Sequence, residues 1–135
     1  MSDALVASAF ETTLKAWADA QTPAIPVAWE NVTFNPPVGR YIRATLLPAT
    51  TNRLFLDGSG RSLVGIFEVH FYMPIGSGAK ATRTLVSSLD AAFSVTITAS
   101  GLRIYLTSPF SAAPPIPIED RFVVPASASY RAYSE

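Results

Sequence analysis

Residues 62–73, which read SLVGIFEVHFYM, decide the fold, because they form the longest strand-like alternation in the chain. Successive side chains of a strand point to opposite faces of its sheet. The apolar set is Phe67, Val69, Phe71 and Met73, and the mixed set is Ile66, Glu68, His70 and Tyr72. The first set predicts the core side. The second predicts a face that is partly solvated or reserved for a partner.

Further strands are predicted on both sides of this one. Residues 40–47 alternate in the same way, and residues 53–56 predict a short strand that the turn 57–60 joins to the long one. Residues 95–98 and 102–106 flank a Ser-Gly pair and predict a hairpin. A final strand is predicted from 121 to about 133, in which Pro125 indicates an edge position or a bulge.

Two segments have the spacing of amphipathic helices, 3–20 and 79–93. Their predicted core stripes are Val6, Phe10, Leu14 and Trp17 in the first, and Ala81, Leu85, Leu89 and Phe93 in the second. Ser77 or Gly78 is the expected N-cap of the second helix. The segments 22–39 and 107–120 are predicted loops. Their length and apolar content predict docking, onto a partner or onto the domain's own sheet.

The order of these elements is helix, strands, helix, hairpin and final strand. Short turns between consecutive strands favour antiparallel pairing. We therefore expect an α+β fold, in which a mainly antiparallel sheet has two helices packed on one face as a two-layer sandwich. The chain has 135 residues and no break in composition, so one domain over 1–135 is expected.

Composition excludes several classes of function. Ten basic residues balance ten acidic ones, and only 15% of the chain is charged, against about 25% in an average domain. Such a surface is prone to associate with other proteins. It has no basic field to attract nucleic acid or an acidic membrane. No apolar run is long enough to cross a bilayer, and neither a signal peptide nor a membrane partner is expected. The absence of cysteine excludes disulfides and thiol catalysis.

The chain offers little material for catalysis. His70 is the only histidine, whereas triads and metal sites need several specialised side chains. The segment 76–80 lies where phosphate-binding loops occur, but it lacks their glycine and Lys-Ser/Thr spacing. Glu119 and Asp120 are adjacent, so on an extended segment they point apart and do not form a catalytic pair. We predict no catalytic, cofactor-binding or metal-binding residue, no cofactor and no enzyme activity.

Arginine outnumbers lysine by eight to two, and six of the arginines fall on predicted strands or at their ends. Arginine is preferred at protein interfaces because its planar fork binds carboxylates in two places, although a GC-rich genome would give the same bias. The predicted contact elements are the 48–62 hairpin and the 107–120 loop. The candidate interface residues are Arg43, Arg53, Arg61, Glu68 and His70.

Several stretches resemble a known family when taken in order. They are Val27 to Val32, Phe34 to Pro37, Tyr41 to Ala44, Gly65 to Val69, Pro74 to Gly78 with the following helix to Phe93, Phe122 to Pro125, and Tyr130 to Ala132. Together they cover nearly the whole chain. In this respect the sequence is similar to the tail terminator (tail-completion) proteins of lambda-like siphophages, found in tailed phages and prophages.

This resemblance implies a structural protein of the virion, assembled in the cytoplasm of a bacterial host. It implies a ring, hexameric in the family, that caps the head-proximal end of the tail tube, stops tube polymerisation and presents a surface for head joining. The implied partners are copies of the chain itself, the tail tube protein and the head–tail neck proteins, without sequence-specific nucleic-acid binding. Two alternatives stay open: a head-completion or neck adaptor protein, and a small-molecule enzyme or binding domain.

Overall fold

A computed structural model describes residues 3–30, 32–49, 52–53, 61–76, 78–94, 96–99 and 101–134. Its helices are α1 (Asp3–Asp19) and α2 (Ala79–Ala92). Its strands are β1 (Val27–Ala28), β2 (Tyr41–Pro48), β3 (Asn52–Arg53), β4 (Arg61–Pro74), β5 (Ile97–Ala99), β6 (Leu102–Leu106), β7 (Ser111–Ala112), β8 (Ile116–Ile118) and β9 (Arg121–Ser134). Neither described helix is long and apolar enough to cross a membrane.

Two long strands, β4 and β9, form the centre of the sheet and pair antiparallel from Ser62 to Pro74 of β4. On the side of β4 away from β9, β2 pairs with the stretch from Gly65 to Tyr72, and β3 pairs with Arg61 and Ser62 at the start of the strand. On the far side of β9, three short strands follow one another along its edge: β8, then β7, then β6, which in turn pairs with β5. Every described pairing is antiparallel except that of β1 with β2. The mainly antiparallel sheet is therefore confirmed.

Both helices contribute to one hydrophobic core on one face of the sheet, as the α+β prediction requires. Three aromatic rings stack at its centre. The ring centroids of Phe10 of α1 and Phe67 of β4 are 4.1 Å apart, and those of Phe67 and Tyr130 of β9 are 4.4 Å apart. The apolar set of β4 is buried, so the side of the strand predicted to face the core does so. The core thus links a helix to both central strands through aromatic contacts.

The first helix follows its predicted pattern. Val6, Phe10, Leu14 and Trp17 are all buried, because spacings of four, four and three place them on one face. The indole Nε1 of Trp17 donates a 3.0 Å hydrogen bond to the Ser88 hydroxyl of α2. This bond satisfies the polar end of a buried aromatic ring and ties the two helices together.

The second helix differs from the prediction at its N-terminal end. Ala81 is exposed and Thr82 is fully buried in its place. The buried side chains also include Val86, so the centre of the buried face is rotated toward position 82 by about a third of the 100° between successive residues. Gly78 is the N-cap, with a φ of 77°, and Ser77 lies outside the described residues. The helix range is confirmed, whereas the predicted stripe was wrong at Ala81.

The predicted loops contain short strands. The segment 107–120 holds β7 and β8, and the segment 22–39 holds β1. Of the predicted strand 53–56, Arg53 lies in β3, and residues 54–56 and the turn 57–60 lie outside the described residues. These strands have two or three residues each, and they form because a long neighbour offers free backbone groups. They are tertiary features that local sequence pattern does not reveal.

Pro125 lies inside β9 rather than on an edge strand or at a bulge, opposite His70 of β4. The carbonyl of Pro125 accepts a hydrogen bond of 2.8 Å from the Ala113 N–H, so this residue's backbone groups point away from β4. On that side, Pro125 lies between the residues of β9 that pair with β7 and those that pair with β8, so no strand there requires a hydrogen bond from its backbone N–H. The proline is tolerated because its missing N–H falls between these two pairings.

Candidate assembly interface

The sheet face opposite the helices, called the open face here, carries three of the five candidate residues. Cross-strand pairing places Arg43 of β2 directly opposite His70 of β4. Glu68 lies two residues before His70 on β4, so both side chains are on the same face. The structure therefore brings Arg43, Glu68 and His70 together. Arg53 and Arg61 are opposite each other in the β3–β4 pairing, away from the other three, and their side chains lie outside the described part of the chain.

His70 and Glu68 form a pair on this face. The ring Nε2 of His70 donates a hydrogen bond to Oε1 of Glu68, and both side chains are about three-tenths exposed. The contact fixes the imidazole against the sheet and occupies the carboxylate. Among the described residues, no three His, Asp or Glu side chains come together in a way that could hold a metal ion.

A ladder of aromatic rings and arginines closes one end of the open face. Tyr41 and Tyr72 stack with their rings 4.6 Å apart. The Arg121 guanidinium lies 4.8 Å from the Tyr41 ring, and that of Arg43 lies 5.9 Å from the Tyr72 ring. Cation–π contacts of this kind hold both arginines in place. As a result Tyr41 is buried although it lies on the face opposite the helices.

The same ladder holds the segment 29–40 onto the sheet. Arg121 donates a hydrogen bond to the Pro37 carbonyl, and the Phe34 ring lies 5.1 Å from that of Tyr41. Trp29 packs against the main core. Of the two docking alternatives for this loop, its aromatic residues use the domain's own sheet. Sequence reasoning missed the part played by Arg121, since it depends on the strand register that brings Arg121, Tyr41 and Tyr72 together.

Within the described part of the chain, exposed aliphatic side chains are concentrated in three places. Ile75, Ile116 and Ile118 lie around the β8–β9 turn, where the Ile75 N–H donates to the Asp120 carbonyl. Leu47 and Ile66 lie opposite each other on the open face. The segment 29–40 adds Val32 and Val38, and Val38 is 98% exposed. Groups of exposed apolar residues mark surfaces that contact other molecules.

The recesses of the described surface are shallow. One, between α1 and the segment that follows β1, has a volume of about 520 Å³ and is lined by Glu11, Lys15, Trp29 and Glu30 among others. Lys15 already forms an ion pair with Asp19, and the Glu30 carboxylate accepts a hydrogen bond from the Leu46 N–H. Lys15 therefore interacts within α1 and Glu30 interacts with the edge of β2, so these two charged groups are engaged with the protein itself.

Comparisons with known proteins identify the family and a similar fold. The family model described as "Phage tail terminator protein" matches residues 5–130. One solved structure is 38% identical in sequence, the match covers 98% of this chain and 96% of the other, and the two superpose with a TM-score of 0.81. A search of curated proteins gives no match. The chain belongs to the phage tail terminator family, a family of structural proteins that act in tail completion.

Proposed function

We propose that this protein forms a ring at the head-proximal end of the phage tail tube, stops tube polymerisation there and presents the surface to which the head is joined. The family supports a role in tail completion. The observation that carries the proposal is the distribution of exposed aliphatic residues over three separate places on one small domain. A head-to-tail ring needs two different patches on each subunit, and a cap that also meets the tube needs a third.

The segment 29–40 is suited to be the third patch. Its tip carries Val38, which is almost fully exposed between a proline and a glycine. Arg121 holds the base of the segment to the sheet, so the tip is presented in one conformation. An anchor that is already ordered loses less conformational entropy when it binds. We assign this segment to the contact with the tube or the neck.

The 48–62 hairpin and the 107–120 segment are proposed as contact elements, together with Arg43, Glu68 and His70 on the open face. Residues 111–120 are all exposed. The pairing of β3 with β4 places Arg53 opposite Arg61. Changing both to glutamate should leave the fold intact and alter the elution volume of the oligomer. An unchanged elution volume with normal tail joining would remove these two residues from the interface.

Termination itself is tested by negative-stain imaging of the protein mixed with purified tube subunits. We expect tubes of uniform length with a ring or plug at one end. The control is the same tube preparation without the protein, which should give tubes of unrestricted length. Tubes of unrestricted length in both samples would refute the proposal.

A further inference from the structure

Two of the exposed aliphatic groups differ in the charges that surround them. The end patch consists of Ile75, Ile116 and Ile118 with the carboxylates Glu119 and Asp120. The face patch consists of Leu47 and Ile66 with the guanidinium groups Arg43 and Arg131. Each patch thus combines apolar contact area with charge of one sign.

The end patch is acidic and rigid. Glu119 and Asp120 are exposed in the tight turn between β8 and β9, where Glu119 has a φ of 52°. A non-glycine residue in the left-handed region is held there by the strand pairing on both sides. The nearest cation along the chain, Arg121, is turned inward to the Tyr41 ring and the Pro37 carbonyl. The two carboxylates therefore face outward beside Ile118.

The face patch is basic. Arg131 is exposed on β9 and lies diagonally across from Ile66, since Arg131 is paired with Val64 and Ser129 is paired with Ile66. Arg43 is exposed on the same side of β2 as Leu47, four residues or roughly 13 Å before it, and its guanidinium lies beside the Tyr72 ring. It therefore borders the face patch on the side of the ladder. The acid between them, Glu68, is engaged by His70. The outward charge of this patch is therefore positive.

The two patches lie at opposite ends of the long strands, on the open face of the sheet. Ile118 pairs with Arg121 at the start of β9, whereas Ile66 pairs with Ser129, eight residues further along. Eight residues of strand amount to roughly 26 Å. One copy can therefore offer both patches at the same time, to two different neighbours.

We propose that the end patch of one copy docks onto the face patch of the next copy, and that this contact joins the subunits of the ring. The inference rests on the proposed function and names the surfaces that the ring would use. The carboxylates of the end patch would meet Arg43 and Arg131, and its isoleucines would cover Leu47 and Ile66. Such a contact is heterologous, and repeating it generates a ring when the rotation between neighbouring copies closes.

Contact through side chains of the sheet face is also consistent with the edge strands, which carry features that oppose pairing with a further strand. The outer strand β8 contains Pro117, which has no N–H to donate to a further strand. Beyond the short pairing of β1 with β2, the Glu30 carboxylate accepts a hydrogen bond from the Leu46 N–H, and β2 ends at Pro48. These features oppose the addition of a neighbouring strand beside β8 and beside this part of β2. The neighbouring copy is therefore expected to meet side chains rather than free backbone.

Charge reversal tests the proposal. One variant carries Glu119→Arg with Asp120→Arg, and a second carries Arg43→Glu with Arg131→Glu. Each should raise the concentration needed for oligomerisation by about tenfold or more, because like charges then face each other across the contact. The matched control, Lys80→Glu with Arg83→Glu on exposed positions of α2, has the charge change of the second variant and should assemble normally. Circular dichroism would verify that every variant is folded.

Mixing the two variants gives the decisive result. In each variant the end patch and the face patch carry charge of the same sign, positive in the first variant and negative in the second. If copies of the two variants alternate around the ring, opposite charges meet at every contact. An equimolar mixture should therefore assemble again, and native mass spectrometry should show only even numbers of subunits with equal amounts of both variants. A mixture that stays dissociated, or one that assembles without alternation, would overturn the assignment of the patches.

The absence of native cysteine provides a second measurement. A chain with Ile118→Cys and Ile66→Cys should give a ladder of disulfide-linked oligomers on oxidation, whereas either single substitution should give no cross-link. Dimers from a single substitution would indicate a symmetric contact and contradict the proposal. All samples are measured alone and with tube subunits. If the wild type assembles in neither condition, the ring function itself fails. If the wild type and all variants assemble alike, only the patch assignment fails.

Discussion

Gly65→Ala in the middle of β4 is expected to destabilise the protein strongly. A Cβ at this position would lie 2.5 Å from the Leu47 carbonyl oxygen, 2.7 Å from the Tyr130 hydroxyl and 2.8 Å from a ring carbon of Tyr130. The carbonyl belongs to the paired strand β2, and Tyr130 is held in the stack with Phe67. Neither neighbour can move away without disturbing the sheet or the core.

The expected loss follows from this crowding. Overpacking of a core costs about 1–3 kcal/mol, and contact with fixed backbone places Gly65→Ala near the upper end, about 3 kcal/mol. For a domain of this length, 1 kcal/mol corresponds to about 3–4 °C in Tm. We therefore expect thermal unfolding, followed by circular dichroism, to move down by about 10 °C.

The control for this substitution is Gly39→Ala, where a Cβ would meet nothing within 4 Å. Alanine there restricts the unfolded chain, and so we expect a gain of about 0.4–1 kcal/mol. A Tm of Gly65→Ala within about 2 °C of the wild type would show that the structure accommodates the added methyl group without the steric cost expected here. Adding Tyr130→Leu should cost less in the Gly65→Ala background than in the wild type, because part of the crowding is then relieved.

Three further outcomes are expected. Phe67→Ala removes the middle ring of the aromatic stack and should cost about 3–5 kcal/mol in urea unfolding, whereas Ile66→Ala on the open face should cost less than about 1 kcal/mol. Arg121→Gln should raise hydrogen exchange in the segment 29–40 with little change in Tm, and unchanged exchange would contradict the role given to the ladder. Asp90→Ala should lower the free energy of unfolding by about 1–3 kcal/mol, measured in urea. The Asp90 carboxylate accepts a 2.8 Å hydrogen bond from the partly buried N–H of Phe110, which would lose its acceptor.

The long elements were predictable because each carries its own periodic pattern. The alternation of β4 was sufficient to separate the core side from the open side, and the side found for Glu68 and His70 follows from the same pattern. The stripe of α2 was wrong at Ala81 because the buried face is centred nearer to Thr82 and Val86. Ala81 lies at the margin of that face, where a modest rotation of the helix decides whether a side chain is buried.

The short strands and the ladder on the open face could not be predicted in this way. β7 and β8 owe their strand conformation to β9, a partner that local pattern does not indicate. The ladder depends on the register that sets Tyr41 opposite Tyr72, and on Arg121, which is far from both in sequence. The sequence did contain two tyrosines on predicted outward positions, but only the pairing shows that they stack.

The central position of β9 has a consequence for how the protein is made. β9 joins β4 and β2 on one side to the three short strands and β5 on the other, yet it leaves the ribosome after every other described element. The two parts of the nascent sheet therefore have no common strand until synthesis reaches β9, and the tertiary structure closes in a late step that depends on contacts far apart in sequence. Because β9 also carries Arg131, a chain interrupted before it would lack both the completed fold and one charged group of the proposed contact between copies.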